Sequence, residues 1–209
     1  MQATRLIAIR HGETAWNTEG RIQGYTDIPL NATGQWQARQ TAQAVAHETV
    51  AAIYSSDLVR AFATAQAIAD STGAPLHPTP QLRERHFGLF EGKTFQQIEA
   101  ETPEQALRWR KRDPDFAPEG GGESLTALQQ RIARAVDTFA ARHIGQQIVL
   151  VAHGGVMDIL YRLATHAELQ APRTWQLGNA AINRLLWSTG SGLTLVGWGD
   201  IRHLEGQIA

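Results

Sequence analysis

The sequence predicts an α/β fold, a three-layer α/β/α sandwich whose central sheet is mainly parallel, with a short insertion over one end of it. Three observations predict it. Apolar runs of strand length alternate with helix-length stretches through most of the chain, the pattern of a sheet with helices on both faces. Two of the runs, TRLIAIR (4–10) and QQIVLVA (146–152), are apolar with little alternation, as strands covered on both faces are. One stretch, from about 83 to 122, breaks the rhythm with short helical pieces, two prolines between Asp113 and Glu119, and the triple glycine 120–122. It reads as an insertion covering the sheet end where ligands bind in such folds.

Taken in order, strand 4–10 stops where His11-Gly12 begins a turn. Residues 33–48 (TGQWQARQTAQAVAHE) are alanine-rich and helical, with Thr33 as the expected cap. A second strand covers 50–55. Asp57 is then expected to cap a helix over 58–72, in which Phe62, Ala65, Ile68 and Ala69 keep helical spacing before Gly73 ends it. Ser124 opens a long amphipathic helix with Leu125, Leu128, Ile132, Val136 and Phe139 on one face. Strand 146–152 runs into His153-Gly154-Gly155 and a helix over 155–165. Two strands, 182–187 and 193–198, close the chain around Thr189-Gly190-Ser191-Gly192. The 209 residues fit one domain, 1–209, of which 83–122 is the insertion.

Composition narrows the function. Apolar residues make up 43% and charged residues 19%, ordinary for a globular protein. A net charge of −1 gives no basic excess for gripping nucleic acid. Without cysteine there is no disulfide, thiolate metal site or cysteine nucleophile. The apolar stretch near the N-terminus is four residues long and ends on Arg10, too short for a signal-peptide core or a membrane span. A cytoplasmic protein with no membrane partner is the expectation.

His11 and His153 stand in matching places, each directly after a buried strand and before a glycine. In an open α/β sheet both emerge at the carboxyl edge. Arg10 and Arg60 add guanidinium forks, which match phosphate oxygens and stay charged at working pH. Taken alone, Arg60 reads as a solvated helix-start residue paired with Asp57. Glu84, between Arg83 and Arg85, reads alone as a surface ion pair. No phosphate loop of the Gly-x-x-x-x-Gly-Lys type and no His-Glu-x-x-His zinc helix occurs. Arg10 beside the histidines repels a cation, so no metal is expected.

Together these pieces resemble the histidine phosphatase superfamily, in its phosphoglycerate-mutase-like branch. The resemblance rests on Arg10-His11-Gly12-Glu13-Thr14-x-Trp16-Asn17, Arg21-Ile22-Gln23-Gly24-Tyr25-Thr26-Asp27, Ser55-Ser56-Asp57-Leu58-x-Arg60-Ala61, Leu82-Arg83-Glu84-x-x-Phe87-Gly88-x-x-Glu91-Gly92, Gly122-Glu123-Ser124 and Val151-Ala152-His153-Gly154-Gly155. It implies that His11 is a nucleophile that becomes phosphorylated, and that Arg10, Arg60 and His153 surround the phosphoryl group. It implies further hydrogen bonds from Asn17 and the Gly154 N–H, Glu84 as proton donor, and Gln23 and Gly24 as lining of the substrate end of the pocket. Two arginines beside His11 disfavour its protonation and keep a lone pair for attack.

The resemblance implies a small phosphorylated substrate and no cofactor, unless the protein is a mutase that uses 2,3-bisphosphoglycerate. The compact insertion, with Phe87-Gly88-Leu89-Phe90-Glu91-Gly92-Lys93-Thr94, is closer to the phosphatase members, in which water accepts the phosphoryl group. Phosphoglycerate mutase is the alternative, and an inactive phosphate-binding scaffold a further one. Arg108-Trp109-Arg110-Lys111-Arg112 is either a solvated helix face or a subsite in which Arg110 and Arg112 recognise a second anionic group. The oligomeric state, monomer or homodimer, is left open.

Overall fold

The structure, a computed structural model, describes residues 2–206. Six strands form one sheet in the order β3-β2-β4-β1-β5-β6: β1 (Thr4–Arg10), β2 (Ala52–Ser56), β3 (Leu76–Thr79), β4 (Gln147–Ala152), β5 (Ile182–Ser188) and β6 (Gly192–Asp200). β1 through β4 are parallel, while β5 and β6 join the β1 edge antiparallel. The mainly parallel sheet is therefore as expected. β3 was not expected. Its sequence, LHPT, is short and carries Pro78, which cannot donate to a ladder and is tolerated because β3 is an edge strand.

Alternation along the central strands makes the layers. Ile7, Ile9, Val149 and Val151 face one core with Val45 of α2 (Ala32–Val45) and Ala61, Ala65 and Ile68 of α3 (Val59–Thr72). Leu6, Ala8, Ile148 and Leu150 face the other, with Leu128, Ile132, Val136 and Phe139 of α6 (Leu125–Ala141) and Val156, Ile159 and Leu160 of α7 (Gly154–Thr165). All five apolar residues expected on one face of the α6 stretch are buried, and Ser124 caps that helix by accepting from the Ala127 N–H at 3.1 Å.

Two caps differ from expectation. Asn31, not Thr33, caps α2, accepting the Gly34 N–H at 2.8 Å, so the helix begins a residue earlier and ends at Val45. Asp57 does not cap α3, because Arg83 takes both its oxygens at 2.7 Å. Asp27 supplies the missing acceptor from a distant loop, at 2.8 Å from the Val59 nitrogen.

Residues 83–122 include α4 (Phe95–Glu101) and α5 (Pro103–Arg110), which close on a small core of Phe90, Ile98, Ala106 and Phe116. A short helix, α1 (Ala15–Thr18), follows β1 under a Thr14 capping box. No helix among the described residues is long and apolar enough to cross a membrane.

Candidate active site

Register brings the two histidines together. β1 and β4 are parallel neighbours with Arg10 opposite Ala152, so the next residues, His11 and His153, leave the sheet side by side. The His11 N–H donates to the Ala152 carbonyl at 2.9 Å, and the two rings lie 5.2 Å apart between centroids. Both residues are buried, at 2% and 0% exposure. His153 also precedes the first turn of α7, whose free backbone N–H groups favour an anion.

His11 Nδ1 lies 2.7 Å from the carbonyl oxygen of Gly12. A carbonyl only accepts, so Nδ1 carries the hydrogen and Nε2 keeps a lone pair for attack. Burial, then Arg10, then Arg60 hold this imidazole well below its usual value of 6.5. Burial followed by Arg60 and His11 does the same to His153. Both rings are therefore neutral at pH 7, which a nucleophile requires.

Arg60 is 1% exposed, not a solvated helix-start residue. Its Nη1 and Nη2 donate to the Thr26 and Gly24 carbonyls at 3.0 and 2.8 Å, and burial lowers its pKa only to about 10, so it stays charged. Arg10 is anchored by Nη1 on the Leu177 carbonyl. The Nε of each arginine and both ring nitrogens of His153 are buried without a protein partner. The two guanidinium N–H groups and the single N–H of the neutral His153 ring thus remain beside the His11 ring for an oxyanion, a demand that a phosphoryl group's oxygens meet.

Glu84 is not in a surface ion pair. Arg83 is held by Asp57, and Arg85 spends Nε and Nη2 on the Glu123 and Phe116 carbonyls. The Glu84 carboxylate instead accepts the N–H of Arg85 at 2.8 Å and of Gly155 at 3.0 Å, which puts it at the start of α7 beside the histidines. A Cβ on Gly155 would stand 2.3 Å from Glu84 Oε1, so glycine is what lets the carboxylate in.

Asn17 and Gln23 lie alongside. Asn17 Oδ1 accepts the Thr14 N–H at 3.0 Å and Asn179 Nδ2 at 3.2 Å, which leaves its own amide hydrogens to donate. Gln23 is buried and accepts from the Thr14 hydroxyl at 3.0 Å. Gly24 adopts φ +53°, and its carbonyl accepts from Arg60, with Glu91 occupying the space a Cβ would take.

A cavity of about 500 Å³ opens next to this corner. Arg10, Gly154 and Gly155 are among the residues that line it, and neither imidazole is. Arg112 is on its wall. Arg110 is not: it is exposed, pairs with Glu99 at 2.7 Å and lies over the Phe95 ring, because α5 turns that face to solvent. Of the two arginines expected to read a second anion, only Arg112 is in place.

Several residues escaped the sequence reading. Thr64 accepts the Gly12 N–H at 3.1 Å, and Asn179 donates to the His11 carbonyl at 2.9 Å. Arg131 donates to the carbonyls of Gln81, Arg83 and Glu84 and forms an ion pair with Glu123 at 2.7 Å, clamping the irregular segment that carries Glu84. Only Thr64 carried a signal, one helical turn after Arg60. Among the described residues no group of three or more His, Asp or Glu side chains is placed to hold a metal ion.

The profile of the histidine phosphatase superfamily (branch 1) matches residues 6–201. The chain belongs to that superfamily. Among histidine phosphatase relatives, phosphoglycerate mutase-like protein 4 of Arabidopsis thaliana is 38% identical over 202 residues, covering 96% of this chain and 86% of that protein. The metal-independent phosphoserine phosphatase of the same plant is 35% identical over 206 residues, covering 98% and 84%. The phosphoserine phosphatase of Entamoeba histolytica, solved with 3-phosphoglyceric acid, superposes with a TM-score of 0.85 at 31% identity and covers 96% of this chain and 99% of that one. Histidine phosphatase relatives of this chain are thus named both as phosphatases and as mutase-like proteins.

Proposed function

We propose that this protein is a phosphatase of small phosphorylated metabolites that works through a phosphohistidine at His11, without a metal or organic cofactor. The observation that carries the reading is the neutral His11 ring, with Nε2 unprotonated, beside the unpartnered Nε–H groups of Arg10 and Arg60 and the unpartnered ring of His153. In this reading Nε2 attacks phosphorus and the P–O ester bond breaks. The leaving alkoxide takes a proton from Glu84. Water then attacks phosphorus while Glu84 takes up its proton, the P–N bond breaks, and inorganic phosphate leaves with His11 restored. Arg10, Arg60, His153, Asn17 and the Gly154 N–H hold the transferring oxygens, with Gln23 and Gly24 at the substrate end of the pocket, so alignment and fixed positive charge supply the catalysis. The name of the metal-independent relative agrees with a reaction that uses no metal. The reading takes residues 1–209 as one cytoplasmic domain, with 83–122 as its cap.

The mutase-like relative keeps a second reading in view, in which a bound phosphoglycerate rather than water accepts the group. One pair of assays separates them. Labelled phosphomonoester quenched in alkali, where a P–N bond survives, should leave label on the parent chain and none on His11→Ala. Steady-state product should be inorganic phosphate. Phosphoglycerate isomerisation that requires 2,3-bisphosphoglycerate and outruns phosphate release would replace the phosphatase reading. Absence of label on the parent chain would remove both.

A further inference from the structure

The segment 177–180 reaches over the turn that carries His11. The Leu177 carbonyl accepts from Arg10 Nη1, and the Ala180 N–H donates to the Arg10 carbonyl at 2.9 Å. Between them Asn179 uses both hydrogens of its amide nitrogen. Nδ2 donates to the His11 carbonyl at 2.9 Å and to Asn17 Oδ1 at 3.2 Å.

This brace is fixed from behind. Ala180 is fully buried and has φ +58°, a left-handed conformation uncommon in a residue with a Cβ. Such a turn persists only where its surroundings hold it. Here the N–H is on the Arg10 carbonyl, and the Ala180 carbonyl accepts from His203 Nε2 at 3.1 Å, from the short helical turn Arg202–Leu204.

The two bonds of Asn179 differ in effect. His11 is held without it, by its N–H on the Ala152 carbonyl at 2.9 Å and by Nδ1 at 2.7 Å from the Gly12 carbonyl. The bond to the His11 carbonyl therefore anchors Asn179. Asn17 is the residue that gains. An amide side chain can present either its oxygen or its nitrogen to a ligand, and its neighbours decide which. Asn17 Oδ1 accepts the Thr14 N–H at 3.0 Å and Asn179 Nδ2, two donors that occupy the oxygen and leave the nitrogen free to donate. The Thr14 hydroxyl lies 3.1 Å from the same oxygen and 3.0 Å from Gln23 Oε1, with one hydrogen for the two.

We propose that Asn179 is a positioning residue: it fixes the Asn17 amide with Nδ2 towards the transferring oxygens, and so makes Asn17 a donor in the phosphoryl step. This rests on the phosphatase reading above, in which Asn17 holds those oxygens. Thr14 shares the task, so loss of Asn179 weakens the donor and does not abolish it.

The experiment is a double-mutant cycle on the full chain: parent, Asn17→Ala, Asn179→Ala and the pair together. It is read as kcat and KM for an alkyl phosphate, as Ki for orthovanadate, whose oxygens resemble those of the transition state, and as Tm. Asn17→Ala should lower kcat and raise the vanadate Ki by about 100-fold, the scale of one oxyanion donor. Asn179→Ala should move both by about tenfold, with KM within about threefold. In the Asn17→Ala background the same change should move them by less than about threefold, because the group it acts through is gone. If Asn179→Ala does not fold, Asn179→Ser, too short to reach both acceptors, replaces it in the same cycle. A further tenfold loss in the double variant, a silent Asn17→Ala, or unchanged kcat and Ki in the Asn179 variant at any Tm overturns the positioning role even when His11 takes up label. Absence of both label and phosphate release in the parent overturns the phosphatase reading itself, and this proposal with it.

Discussion

Replacing Gly155 by alanine tests the placement of Glu84 without substituting Glu84 or His11 itself. The added Cβ would stand 2.3 Å from Oε1 and 3.2 Å from the carboxyl carbon of Glu84. Ordinary contact begins a little above 3 Å, so the carboxylate must retreat by roughly 1 Å and loosen its 3.0 Å hydrogen bond to the residue-155 N–H. A displacement of that size costs about 10²-fold in rate, or about 2.7 kcal/mol of transition-state stabilisation. The fold should tolerate the change, because Gly155 lies in the first turn of α7 with no left-handed backbone and alanine is the better helix former. The assay separates the two chemical steps. An alkyl phosphate needs a proton on its leaving oxygen, so its turnover should fall about 100-fold with KM little changed. p-Nitrophenolate leaves without one, so Gly155→Ala should keep the first burst of p-nitrophenol and then stall as phosphoenzyme, since water attack still lacks its base. Alkyl phosphate turnover within about threefold of the parent, at an unchanged Tm, would refute the assignment of Glu84.

The remaining predictions concern pH, positioning and the basic cluster. His11 and His153 are held below 6.5 in the fold, so below about pH 6.5 the unfolded chain binds protons that the folded one refuses. Stability should therefore fall as pH drops from about 6.5 towards 5 and be insensitive to these two groups above 7. Thermal melts of the parent and of His153→Gln, which should lose about half the slope, check this. Arg131→Ala frees the carbonyls of Gln81, Arg83 and Glu84 and should lower kcat about tenfold with a smaller effect on KM. A lower Tm with unchanged kcat would leave Arg131 a purely structural role. Arg110→Ala removes an exposed pair with Glu99 and should change both Tm and kcat/KM by less than about twofold-equivalent energies, well under 1 kcal/mol. A tenfold rise in KM would return Arg110 to the site.

Much of this protein was legible in one dimension. Strands 4–10 and 146–152, buried on both faces, read as apolar runs because both sheet surfaces are covered. The α6 stripe read as a helix because one face alone is buried. Histidines that follow two such strands predicted a shared sheet edge, and the adjacent register of β1 and β4 gives a 5.2 Å pair. What could not be read were contacts that compete for the same charged group. Asp57 was expected to cap α3 or pair with Arg60, but Arg83 takes it, and Arg60 turns inward to two carbonyls. Glu84 lies between two arginines in sequence, yet both have other partners, and it reaches the start of α7 across 71 positions. Arg110 and Arg112 are two residues apart and face different media, solvent and cavity. Asn179 reaches Asn17 across 162 positions with no motif to announce it. Periodicity and motif spacing are local and survive in the sequence. A charged side chain's partner is set by which long-range neighbours the folded packing holds within reach, and that only the tertiary structure decides.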